Sequence, residues 1–279
     1  MRFGITFGRL NPAFFLDAVL EADRLGFESA WLPEHLVFPV EMRGQLVPGE
    51  EHPPVPPSTP VFDAPAYLSH VAALTSQIRL GTFVYLLGLR HPFVGARAFA
   101  TLDVVSQGRA EVGVGAGWLL TEWEAVGLDP RTRGRRLEEA IEVCRRLWTE
   151  EVVEHHGEFY EFGPVMFEPK PVQRPHPPIV VGGESERALR RAARLADGWI
   201  GMSHTPDTAA DQIGRLRRFE EEAGRADRAL EVTVMGEVTH PSDVERYEAA
   251  GVDRIIVVPW RRSPEAVDGL RRFAERFLS

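Results

Sequence analysis

Short apolar runs alternate along this chain with longer stretches in which apolar positions recur every three or four residues. The first pattern fits a strand buried on both faces, the second a helix with one inward face. The clearest unit spans 79–118. Residues 80–87 are nearly continuously apolar and include Phe83, Val84 and Tyr85. Pro92 then opens a helical stretch whose apolar face is expected at Val94, Ala98, Leu102 and Val105, and Gly108 stands where a left-handed C-cap belongs. A second buried run, 110–114, leads into Gly115, Gly117 and Trp118. Strand, helix, parallel strand is a βαβ unit with a right-handed crossover.

The same alternation extends to both ends. Further strands are expected at 2–8, 28–33, 178–181, 198–202, 230–238 and 254–259. Helical faces fall on Phe15, Ala18, Val19, Ala22 and Leu25, then on 64–76, and on Leu137, Ala140, Ile141, Cys144, Leu147 and Trp148. Others follow at 188–195, 207–223 and 244–250, with a last helix capped by Ser263 and Pro264. Residues 151–178 predict a small hairpin excursion. Residues 36–62 are rich in proline and glycine with no period, the mark of a binding loop. Eight strand signals separated by helices predict a single-domain (β/α)8 barrel over 1–279, near the ~250 residues usual for that fold. In such barrels ligands bind at the carboxyl ends of the strands.

Composition narrows the function classes. With 44% hydrophobic and 26% charged residues the chain reads as a soluble globular protein. A formal charge of −9 argues against a nucleic-acid or anionic-membrane partner. No apolar run approaches the roughly 20 residues of a membrane helix, and Met1 leads straight into strand-like sequence. Cys144 is the single cysteine, so a cytoplasmic setting without disulfides is expected. Lys170 is the only lysine among 32 basic residues and lies in a proline-rich run, a poor setting for Schiff-base chemistry.

The strand ends carry the candidate chemistry. His35 follows the second strand and either moves a proton at a substrate or merely bonds the backbone. Glu34 either orients that imidazole or faces water. Gly182, Gly183, Glu184 and Ser185 join the fifth strand to a helix, where free N–H groups suit a phosphate, or where an ordinary turn suffices. Gly113, Gly115 and Gly117 miss the spacing of a dinucleotide fingerprint because Trp118 holds the third position. They suit close approach of a flat ring, or tight packing of the backbone. His155, His156 and His176 lack partners at metal-ligand spacing, so no metal site is expected. Ser69 and His70 lack a third triad member.

AWLPEH at 30–35, IRLGTFV at 78–84, ATLDVVSQGRAEVGVGAGW at 100–118, PPIVVGGES at 177–185, ALRRAARLADGW at 188–199 and GVDRIIVVPW at 251–260 occur in this order. Together they make a chain that resembles the bacterial luciferase-like flavin and deazaflavin oxidoreductases along almost its whole length, most of all the short members that use coenzyme F420. The resemblance implies a (β/α)8 barrel, an excursion after strand four and a cofactor at the carboxyl ends. It also implies a small-molecule substrate and a homodimer. It puts a proton-handling role on His35 with Glu34 beside it, a cis peptide at Phe83–Val84 behind the ring, a ring pocket at Gly115, Gly117 and Trp118, and a phosphate loop at Gly182–Ser185. The sugar-phosphate dehydrogenase branch has a glutamate in place of Trp118 and lysines for the substrate phosphate, so that substrate is not expected. The implied activity is F420-dependent hydride transfer to or from deazaflavin C5. The alternatives are an FMN-dependent monooxygenase and a cofactor-binding protein without catalysis.

Overall fold

The computed structural model describes residues 1–45, 55–225 and 229–278; part of the predicted binding loop, at 46–54, lies outside them. Eight parallel strands close into a barrel: β1 (Arg2–Thr6), β2 (Ser29–Leu32), β3 (Arg79–Thr82), β4 (Ala110–Val114), β7 (Ile179–Gly182), β8 (Gly198–Ser203), β9 (Glu231–Met235) and β10 (Arg254–Val257). Between β4 and β7 the chain makes the predicted excursion, an antiparallel pair of β5 (Val152–His156) and β6 (Glu161–Met166). With that pair set aside, strand order round the ring is chain order. Ile5, for example, lies beside Ala30 on one side and Val257 on the other.

Helices cover the outside: α1 (Phe15–Leu25), α2 (Ala64–Leu74), α3 (Pro92–Val105), α4 (Leu120–Ala125), α5 (Arg133–Thr149), α6 (Glu186–Leu195), α7 (Pro206–Glu222), α8 (Pro241–Ala249) and α9 (Ala266–Phe277). On α5 all six residues of the expected face are buried, Cys144 among them. Lys170 caps the end of this helix, its Nζ donating to the carbonyls of Leu147 at 2.9 Å and Glu150 at 2.5 Å. Among the described residues no helix is long and apolar enough to cross a membrane.

The third strand stops at Thr82 instead of running to 87. Tyr85 keeps one bridge to Val114, and Leu87–Leu89 turn as a 3-10 helix. Their apolar character reports burial, which a packed turn needs as much as a strand does. The inward face of α3 is also not the predicted one. Val94 and Val105 are exposed, while Gly95, Ala96, Phe99, Ala100, Leu102 and Asp103 are buried. Small residues let the helix approach closely: a Cβ on Gly95 would lie 2.3 Å from Leu87 Cδ1. Asp103 earns its burial by accepting from the Val172 and Gln173 amides and from Gln173 Nε2, at 2.7, 2.9 and 2.6 Å. It thereby ties the excursion to the barrel. Gly108, at φ 84°, ends this segment as expected.

The barrel interior is layered. At the amino-terminal end Arg254, 1% exposed, sits among Glu28, Glu111 and Glu231, and Arg79 also holds Glu111. Burial works against the Arg254 charge, but these carboxylates outweigh it and hold its pKa above the ordinary arginine value. Above it lies the Trp31 ring, close enough that a Cβ on Gly81 would fall 2.4 Å from it. Around and above that ring lies an apolar layer of Ile200, Met235 and Ile256, with Phe83, Val84 and Met202 packed against them, while Val180 of the same cluster reaches down to the charged end. This layer is the floor of the site.

Candidate active site

In a closed ring of eight strands, each strand faces the one four places on. By the observed order β1 lies across from β7, β2 from β8 and β3 from β9. Segments following these strands surround one cavity of about 830 Å³ at the carboxyl ends, lined by Thr6–Pro12, Leu32–His35, Phe38, Phe83, Trp118, Glu184, Met202–His204 and Met235 among others. Ligand cavities run to roughly 300–1,000 Å³, so this one has room for a flat cofactor ring together with a small substrate.

His35 lines this cavity with its Nδ1 2.8 Å from Glu122 Oε2. Glu122 lies on α4 and is fully buried. Its other oxygen accepts the amides of Leu36 at 2.5 Å and Val37 at 3.2 Å. One carboxylate therefore fixes both the imidazole and the backbone that follows it. The same loop is tied again where Leu120 N donates to Arg43 O at 2.7 Å. With Nδ1 engaged, Nε2 is the nitrogen left to meet a ligand. Phe38 and Trp118 flank the ring, their centroids 4.6 and 5.7 Å away and the indole nearly perpendicular at 80°.

Glu34 does not orient His35, nor does it face water. It is buried and accepts from the Leu86 amide at 2.9 Å and from Arg90 Nη2 at 2.5 Å. Burial disfavours the charge of Arg90, but the adjacent carboxylate prevails and raises its pKa. The guanidinium lies 4.4 Å above the Tyr85 ring. This buried pair joins the end of β2 to the turn after β3, holding the segment that contains Phe83 and Val84. Their peptide bond is cis, the conformation the resemblance implies.

Phe83 lines the cavity, whereas Val84 enters the layer beneath it. The neighbouring glycines serve that side chain. A Cβ on Gly115 would lie 2.4 Å from Val84 Cγ2, and one on Gly182 would lie 2.8 Å from Val84 Cγ1. Gly117 similarly faces Leu86 and Trp123. Of the three predicted ring-pocket residues after β4, Trp118 alone is part of the cavity lining.

The turn after β7 is fixed at Gly183, φ 125°, where an added Cβ would lie 2.8 Å from Ala188 Cβ. Trp199 Nε1 donates to the Gly183 carbonyl at 3.0 Å. Ser185 caps α6 by accepting from Ala188 N at 3.3 Å, which leaves the amides of Glu186 and Arg187 outside the helical ladder. The Glu184 side chain turns into the cavity wall instead. It accepts from Met202 N at 2.7 Å and meets His204 Nε2 at 3.1 Å. A carboxylate cannot donate to a phosphate, so only the backbone of Glu184 suits that role.

Glu122, Arg90, Phe38, Met202 and His204 escaped the sequence reading. The interval of four between Trp118 and Glu122 was a signal of sorts, since it places both near the first turn of one short helix. Nothing in the sequence links Glu122 to a histidine 87 positions away. Among the described residues no group of three or more His, Cys, Asp or Glu is placed to hold a metal ion.

These residues fit a flat ring bearing a phosphate: apolar walls at Phe83, Trp118 and Met202, the positioned imidazoles of His35 and His204, and a glycine turn opening a helix. Comparison with known proteins gives the same direction. The luciferase-like monooxygenase family model matches residues 4–274. An F420-dependent glucose-6-phosphate dehydrogenase of Kineococcus radiotolerans is 34% identical over 80% of this chain and 63% of its own length. An FMNH2-dependent dimethylsulfone monooxygenase of Pseudomonas putida is 32% identical over 72% of this chain and 54% of its own. The crystal structure of the monooxygenase RslO1 from Streptomyces bottropensis superposes with a TM-score of 0.76 at 25% identity, covering 100% of this chain and 99% of that one. The chain belongs to the luciferase-like monooxygenase family.

Proposed function

We propose that this protein is an F420-dependent oxidoreductase acting on a small organic substrate. The observation that carries the reading is His35, held by the buried Glu122 in a largely apolar mouth. When bound, F420 supplies hydride donor or acceptor chemistry at C5 of its deazaflavin ring. Phe83 and Trp118 would wall that ring, and the turn at Gly182–Ser185 would hold its phosphate through backbone amides and the Ser185 hydroxyl. Val84, Gly115 and Gly117 would shape the floor from below. His35 holds or accepts the proton at Nε2, and Glu122 keeps the imidazole in one orientation. Glu34 contributes at one remove, by fixing the turn that carries Phe83. The apolar walls exclude water from the reacting atoms.

The preference for F420 over FMN is supported by the more extensive likeness to the F420-dependent relative. An FMN-dependent monooxygenase is the second reading, favoured by the whole-chain match to RslO1. A homodimer in the cytoplasm belongs to the same proposal. Anaerobic turnover over a panel of uncharged alcohols and carbonyl compounds tests the reading, followed by the visible absorbance of oxidised F420. Substrate-dependent bleaching or its reversal without oxygen is expected; turnover only with reduced FMN and oxygen would replace F420 with the second reading. Cofactor binding without turnover on any substrate would favour a non-catalytic binder.

A further inference from the structure

Across the barrel from the Gly183 turn, on the side of β1, the cavity is walled by Phe7, Leu10, Phe15, Val61 and Phe62. The first three are buried, but Val61 and Phe62 are 39% and 38% exposed. The aromatic residues brace one another: Phe7 and Phe15 centroids are 4.9 Å apart, and Phe15 and Phe62 6.0 Å apart. Tyr67 backs Phe62 at 5.3 Å. Phe62 is thus supported from behind while it lines the cavity in front.

Two of the polar side chains on this side are already engaged, while Thr59 also lines the cavity. Thr6 Oγ1 donates to Trp31 O at 3.2 Å, and Asn11 Oδ1 accepts from Ala13 N at 3.0 Å. Among the described lining residues of this wall, Arg9 alone is charged, and it lies exposed at the rim. The chain's one lysine is engaged at the end of α5. Two large apolar side chains exposed in a concavity mark a surface that a ligand covers. A ring held from the β7 side would leave this wall to the other reactant.

We propose that this wall is a substrate subsite for an uncharged apolar moiety, so that the substrate class is a hydrophobic small molecule and not a phosphorylated one. The proposal deepens the reading of the site given above and rests on it. Burying successive methylenes against Val61 and Phe62 should lower Kd by roughly fourfold each.

The test is calorimetric titration of the full chain with the linear methyl ketones hexanone, heptanone and octanone, and with glucose 6-phosphate. It is run alone and with saturating F420. The expected result is a Kd that falls about fourfold per methylene, with glucose 6-phosphate binding more weakly than any ketone. Phe62→Ser and Val61→Ser should each flatten the series, and a wild-type-like melting temperature qualifies each variant. Should Phe62→Ser unfold, Val61→Ser alone decides. A Kd independent of chain length, a series unchanged in the qualified variants, or tighter binding of glucose 6-phosphate would overturn the proposal. Binding is read without turnover, so the two readings fail separately. If F420 does not bind, the cofactor assignment falls while the ketone series stands. A flat series with F420 bound removes the subsite alone.

Discussion

His35 has two carboxylates within reach along the chain or through space, and the one beside it in sequence is not the one that holds it. Glu122 does, from α4, while Glu34 turns to Arg90 and the Leu86 amide. This division of labour gives distinct expectations. His35→Ala should lower kcat by ~10²–10⁴-fold, the usual share of a positioned acid or base, and change cofactor affinity little. Steady-state kinetics beside a cofactor titration separates the two, and an equal loss in both would make His35 a binding residue only. Glu122→Gln keeps an acceptor for Leu36 and Val37 but replaces the carboxylate that meets the imidazole. A hydrogen bond to a charged group contributes about 1.5–3 kcal/mol, so kcat should fall roughly tenfold to a hundredfold with cofactor Kd unchanged. A loss confined to KM would show that Glu122 shapes the pocket without orienting the imidazole.

At the scale of elements, the contact between β3 and β4 sets the height of the floor. A Cβ on Gly113 would fall 1.7 Å from the Thr82 carbonyl oxygen, a backbone atom that cannot swing aside. Gly113→Ala should therefore destabilise the fold by more than the ~1–3 kcal/mol of ordinary overpacking, read as a lower urea midpoint. A midpoint equal to wild type would show that the two strands separate freely. The barrel itself was legible because its strands are buried on both faces and read as short apolar runs, as in 110–114 and 254–257. Helix α5 was legible because large apolar residues mark its face. Helix α3 misled because Gly95, Ala96 and Ala100 do its close packing, while valines stand outside. The third strand was read too long because a buried turn is as apolar as a strand. At the site, His35 could be placed by its position directly after a strand, whereas Phe83 and Trp118 were placed by the resemblance. A partner supplied by another element cannot be placed so, as with Glu122 from α4; His204, directly after β8, was open to the same placing and was missed.

Over the whole molecule the two ends of the barrel do different work. The amino-terminal end is a charge network around Arg254, and the carboxyl end is the largely apolar cavity with the imidazoles of His35 and His204. The Arg254 guanidinium lowers the pKa of Glu28 although burial opposes it. On the outer surface, Glu21 is brought from 4.5 to about 2, chiefly by its hydrogen bond to Arg24 and also by Arg271. Both folded-state values lie below the unfolded ones. Their contribution is thus complete above the unfolded pKa and is lost as pH falls through the folded one. Stability should hold from neutral pH down to about 4.5 and then decline toward pH 2; chemical denaturation at a series of pH values checks this, and a flat profile across that window would contradict it. At the carboxyl end, parallel fluorescence titrations of the purified full chain with F420 and with FMN decide which cofactor the cavity holds. Saturable binding of F420, tighter than that of FMN, is expected; tight binding of FMN with none of F420 would replace the deazaflavin reading with the flavin one.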